Sequence, residues 1–124
     1  MDMENKVRQI RELVEAKREK FARVSDEVWA VPELYFHETK SAAILIKALK
    51  EEGFEVQEGV DGIPTAFIGT WGSGKPVIGI LGEFDALPSL SQEAGCWEHK
   101  EIVKGGPGHG CGHNMFGVGS IAAA

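Results

Sequence analysis

The chain has 124 residues, 43% hydrophobic and 26% charged, which allows one domain at most and suits a soluble globular protein rather than a disordered or fibrous one. A net charge of -6, with lysine and arginine dispersed among acidic residues, leaves no basic footprint for nucleic acid or anionic lipid. No run approaches the roughly 20 apolar residues of a membrane span, and the charged start MDMENKVRQIREL is unlike a signal peptide, so the chain reads as cytoplasmic, with neither a membrane nor a nucleic acid as partner.

Residues 1 to 60 hold 10 of the 13 lysines and arginines and 13 of the 19 acidic residues, so the first half reads as helical scaffold and the second as sheet and loop. Val7, Ile10, Val14, Phe21, Val24, Val28 and Val31 recur at spacings of three, four or seven, which predicts one helical face that Pro32 limits. A second helix is predicted with Thr39 as N-cap, an apolar stripe through Ala42, Leu45, Ile46 and Leu49, and Gly53 at its C-terminal cap. From Phe54 the period changes to that of strands. Phe54 and Val56 alternate with polar residues, Thr65 to Trp71 is β-prone, and Gly72, Ser73 and Gly74 suit a hairpin turn into PVIGIL at residues 76–81. That continuous apolar run predicts a third strand, central and buried on both faces.

Ligand sites in open α/β sheets collect beyond the carboxyl ends of strands, and here the strand is followed by Gly82-Glu83-Phe84-Asp85-Ala86-Leu87-Pro88. Glu83 and Asp85 are read as pointing to opposite sides, one to a site and one to the scaffold, rather than as an acid/base pair on one bond. From spacing alone the simpler reading is a strand end leading into a turn held by Pro88. An irregular loop of about twenty residues follows, long enough for a functional role. It ends in Gly105-Gly106-Pro107-Gly108 and leads into His109-Gly110-Cys111-Gly112-His113-Asn114. Three borderline-to-soft ligands alternating with glycines are how a chain brings its backbone close to an ion. A helix predicted from about Asn114 would favour the Cys111 thiolate through its dipole. Two other readings stay open for Cys111: a nucleophile with His109 or His113 as base, or a small buried residue. Cys96 reads as incidental, a disulfide is the poorer reading without a secretory signal, and His37 and His99 read as structural or surface residues.

GEFDALP followed by GPGHGCGHN, preceded by PELYFHETKSAAILIKALKEEGFEV, resembles the zinc-dependent aminoacylase and carboxypeptidase superfamily in its amidohydrolase branch. The likeness runs from about Glu27 to Ala124. It implies an α/β fold: the N-terminal part of a zinc-exopeptidase-like catalytic domain across residues 1–124, with two helices, three strands, a metal-motif loop and the start of a buried helix. It implies hydrolysis of an amide bond in an N-acyl or N-aroyl amino acid or small peptide, such as an aminobenzoyl-glutamate, with one or two ions of zinc, or manganese or cobalt, per complete site. The cysteine and second histidine of the branch's motif are metal ligands and fall on Cys111 and His113. In related peptidases the strand-end motif opens with a metal-binding histidine and carries an aspartate that orients it. Asp85 matches that aspartate as a supporting catalytic residue, whereas Glu83 replaces the histidine and is placed only near the site. His109 matches a common histidine of the branch and is also placed near the site, and Asn114 stands where many members carry aspartate.

The family's general base, a Glu-Glu pair, its further histidine ligands and its dimerisation domain are not found in these residues. With Ile121-Ala122-Ala123-Ala124 still apolar and uncapped, the expectation is a truncated chain, inactive alone, from a parent enzyme that is a homodimer or heteromer. The alternative is a non-catalytic binding or assembly domain with a structural metal site.

Overall fold

The structure is a computed structural model and describes residues 2–124. The chain is of mixed α/β class, with four α-helices, one short 3-10 helix (Val60–Gly62) and a two-stranded sheet among these residues. The predicted first helix is split in two. Helix α1 spans Met3–Ala16 and α2 spans Arg18–Trp29, with Lys17 between them at φ -105° and ψ 1°. Asp2 caps α1, its carboxylate accepting the Asn5 N–H at 2.8 Å. The apolar face carries across the break, but only its later members are buried: Val24 and Val28 lie in the core, while Ile10 and Val14 on α1 stay exposed. Beside the break, Lys17 pairs with Glu52, and Lys20 reaches Glu51 and Glu52 at 3.0 and 2.8 Å, tying α2 to the far end of the next helix.

Helix α3 spans Thr39–Glu51. Thr39 is its first helical residue and not its cap, a correction of one position, and Glu38 in the cap position makes no side-chain cap bond. A more distant residue does that work: the Glu33 carboxylate accepts the N–H groups of Lys40 at 3.0 Å and Ser41 at 2.9 Å and the Ser41 hydroxyl at 3.0 Å. The C-terminal prediction holds, with Gly53 at φ 87°. Its N–H donates to the Lys50 carbonyl and the N–H of Phe54 to the Leu49 carbonyl, both at 3.1 Å, which is a Schellman cap.

Strand β1 (Glu55–Glu58) pairs antiparallel with β2 (Phe67–Thr70), Glu55 opposite Thr70 and Glu58 opposite Phe67. The sheet lies close on α3: a Cβ on Gly69 would stand 3.0 Å from a Leu49 methyl. The predicted third strand does not form. Residues 76–81 make no ladder, and Val77, Ile78 and Leu81 are 84%, 81% and 78% exposed. A central strand needs hydrogen-bonding neighbours on both edges, and among the described residues no strand or bridge pairs with the segment. The glycine turn at 72–74 is present, with Gly72 and Gly74 at φ 74° and 100°, but it does not lead into a hairpin.

Helix α4 spans His113–Ala123. It is buried on one side only, through Asn114, Gly117 and Val118, while Met115 and Phe116 are exposed. The core joins Val24 and Val28 of α2, Leu45 and Ala48 of α3 and Val118 of α4, flanked by Phe21, Ile44, Phe67, Phe84 and Ile121. Two glycines let α4 lie directly on the segment after residue 81. A Cβ on Gly117 would stand 3.0 Å from the Glu83 carbonyl, and one on Gly82 would stand 2.9 Å from Ser120 Cβ. The Ser120 hydroxyl donates to the Leu81 carbonyl at 2.8 Å, fixing the register of that approach.

Candidate metal centre

The strand-end motif is clasped from both sides. The Ala86 N–H donates to the Glu33 carbonyl at 2.7 Å, and Leu34 and Ala86 form an isolated parallel bridge. On the other side Leu87 and Gly108 exchange two backbone hydrogen bonds at 3.0 Å, which brings the glycine-rich motif alongside. Gly108 has to be glycine, because a Cβ there would collide with the Leu90 backbone.

Within this clasp Phe84 turns into the core, its ring 5.5 Å from that of Phe67. Glu83 and Asp85 both turn the other way, towards His113. The expectation that they point to opposite sides is overturned, because residues two apart in an extended chain share a face and it is the intervening residue that alternates. The carboxylate Oδ1 of Asp85 lies 2.8 Å from Nδ1 of His113, and Oε2 of Glu83 lies 3.4 Å from Nε2 of the same ring. The ligand atoms of Glu83, Asp85 and His113 all lie within 4.8 Å of one another. The His113 side chain is 17% exposed, Asp85 25% and Glu83 55%, so the group opens to solvent on the Glu83 side.

The remaining residues of the motif divide in two directions. Cys111 is exposed on the turn before α4, ahead of Gly112 at φ 76°, and stands outside the group of three. His109 is buried against α2, with its Nε2 3.2 Å from the Val28 carbonyl and its ring 6.1 Å from that of Trp29. Burial, reinforced by the nearby His113, holds His109 below its ordinary pKa of 6.5, against the opposing pull of the Val28 carbonyl and Asp85. In its neutral form Nε2–H donates to Val28, and Nδ1 has no partner. Asn114 is buried and donates from Nδ2 to the Ser25 hydroxyl at 3.0 Å, so α2 holds the motif at two points. His37 and His99 are exposed, as expected of surface residues, and Cys96 is half-buried and unpaired.

No family model matches the chain. Curated proteins do. The chain is 46% identical over 122 residues, 98% of its length, to the B subunit of p-aminobenzoyl-glutamate hydrolase from Escherichia coli (strain K12), covering 25% of that protein. The chain belongs to the aminoacylase and carboxypeptidase superfamily, in its amidohydrolase branch. Thermostable carboxypeptidase 2 of Saccharolobus solfataricus is 38% identical over 85 residues, 67% of this chain and 21% of that one. Xaa-Arg dipeptidase of Mus musculus is 28% identical over 127 residues, 94% of this chain and 26% of that one. The chain therefore spans about a quarter of the length of these amidohydrolase relatives.

The donor set fits a metal ion of the kind the branch implies. An ionised carboxylate only accepts hydrogen bonds, so the contact with Asp85 places the proton of a neutral His113 on Nδ1 and leaves a lone pair on Nε2. That lone pair faces a second carboxylate, Glu83, at 3.4 Å, an arrangement that calls for positive charge beside Nε2. A proton on Nε2 or a divalent ion would supply it. Glu83, expected near the site, does lie in the group of three, whereas the contacts of Glu33 with Ser41 and Ala86, which no spacing encodes, escaped the sequence.

Proposed function

We propose that residues 1–124 supply the N-terminal part of the catalytic domain of a metal-dependent amide hydrolase acting on an N-acyl or N-aroyl amino acid, with an aminobenzoyl-glutamate as the model substrate. The observation that carries the proposal is the single imidazole of His113 held at Nδ1 by Asp85 and facing Glu83 at Nε2. The names of the relatives, one chain of an aminobenzoyl-glutamate hydrolase, carboxypeptidases and a dipeptidase, support amide hydrolysis and small substrates.

In this reading His113 through Nε2 and Cys111 as thiolate hold the metal. Asp85 fixes the imidazole tautomer and its rotation, as outer carboxylates do for metal-bound histidines. Glu83 contributes negative charge beside the ion. A thiolate with an imidazole favours zinc over manganese or cobalt. One or two bound ions would acidify a water molecule and polarise the scissile carbonyl. The proton acceptor belongs to the family's Glu-Glu pair, outside these residues, so the segment alone is inactive. The Escherichia coli relative is named as a subunit of its hydrolase, which supports a heteromeric enzyme; a homodimer is the other assembly this proposal allows, and it places the enzyme in the cytoplasm.

Assay of the complete protein on p-aminobenzoyl-glutamate before and after chelation tests this. Activity should disappear on chelation and return with added zinc. A metal-stripped protein that keeps full activity and loses it on thiol alkylation would instead make Cys111 a nucleophile. A protein that binds zinc but hydrolyses no N-acyl or N-aroyl amino acid would be the binding or assembly domain.

A further inference from the structure

We infer that Glu33 is a positioning residue for the metal site, acting through Asp85; the inference rests on the metal reading above. Two parts of this one residue grip two different elements. Its carboxylate takes the N–H groups of Lys40 and Ser41 and the Ser41 hydroxyl, which locks it to the first turn of α3. Ser41 is fully buried, so that end of the grip is fixed in the protein interior. The Glu33 main-chain carbonyl takes the N–H of Ala86 at 2.7 Å, and Leu34 continues the contact as a bridge to Ala86. Ala86 is itself buried and directly follows Asp85, whose Oδ1 lies 2.8 Å from His113 Nδ1.

The chain of contacts therefore runs from a helix N-terminus, through one glutamate, to the backbone of the residue beside the orienting aspartate. A helix N-terminus favours a carboxylate through both its free N–H groups and its dipole, so the anchor is strong at that end. Pro32 removes backbone freedom just before Glu33, and the short segment from Pro32 to Leu34 has little room to shift without moving Ala86. Releasing the carboxylate frees this segment, and Asp85 loses its fixed distance to His113. Groups that orient a metal-bound histidine change affinity about 10- to 100-fold when lost. Glu33 lies one link further out, which places its effect at the lower end of that range.

The test measures metal affinity of the complete protein by titration against a competing chelator, per folded chain. The variants are Glu33→Ala, Glu33→Gln and, as a control, Ala48→Gly, which loosens α3 from its buried face without touching Glu33. Glu33→Ala should weaken metal binding about tenfold. Glu33→Gln, which keeps one acceptor oxygen, should weaken it less, and it carries the test if the alanine variant fails to fold. Ala48→Gly should lower the melting temperature and leave affinity within about twofold. The inference is overturned if the Glu33 variants bind metal as tightly as wild type, or if Ala48→Gly weakens binding as much as they do. His113→Ala run alongside separates the two levels: if that variant keeps its metal, the metal reading itself fails and takes this inference with it.

Discussion

His113 and His109 carry the same side chain four residues apart and are put to opposite uses by their surroundings. His113 meets a carboxylate at each nitrogen, whereas His109 meets one carbonyl and a tryptophan ring and is buried. Asp85→Asn tests the first environment. The amide keeps the shape of the carboxylate but not its charge, so metal affinity measured by competitive titration should fall about 10- to 100-fold with little change in fold. Unchanged affinity would remove Asp85 from the site. The second environment makes a pH prediction. The pKa of His109 is lower folded than unfolded, so the unfolded chain binds a proton first as pH falls. Stability from this residue is full above about 6.5 and is lost as pH drops below that value towards the folded pKa. Urea midpoints at pH 7.5 and 5.5 should show a decline that is smaller in His109→Gln; an equal decline in both proteins would contradict the assignment. Cys111 and His113 are singled out by a pattern of residue types, and of the two only His113 falls in the group of three. The convergence of Glu83 on His113 is equally written in the two-residue spacing, once the alternation is taken with the right parity.

At the scale of elements, what is encoded locally comes through and what depends on distant pairing does not. The apolar stripe of α3 and its Gly53 cap are properties of consecutive residues, and both are present. Thr39 is one position from the expected cap because the capping oxygen comes from Glu33, outside the helix. The break at Lys17 leaves the spacing of the valines intact, so periodicity alone has no means of marking it. PVIGIL has the composition of a buried strand, but a ladder is a property of two segments, and this one finds no partner among the described residues. The contact of α4 with the strand-end motif yields a paired prediction. Gly117→Ala places a methyl group 3.0 Å from the Glu83 carbonyl and 3.1 Å from Phe84 Cβ, so it should displace Glu83 and weaken metal binding. Gly119→Ala meets nothing within 4 Å in the same helix and should stabilise the protein by roughly 1 kcal/mol in chemical denaturation. Weaker metal binding in the Gly119 variant, or no weakening in the Gly117 variant, would show that this close approach does not position the site.

On the scale of the whole molecule, three helices and a small sheet gather on one core, and the motif loop is pinned to it by α2 through His109 and Asn114 and by residues 33–34 through Ala86. No described helix is long and apolar enough to cross a membrane. Apolar side chains at 76–81, on α1 and at Trp97 remain exposed. The superfamily is legible because its two motifs are short, contiguous and chemically distinctive. How they meet is not, because the clasp joins residues 33, 86 and 108 across most of the chain. The account rests on His113 holding an ion in that clasp. The direct measurement is metal content per chain of the complete protein, purified without added metal, for wild type and His113→Ala. Wild type should carry one or two ions and the variant should lose them together with activity. Equal metal content in the two proteins, or none in wild type, would contradict the account.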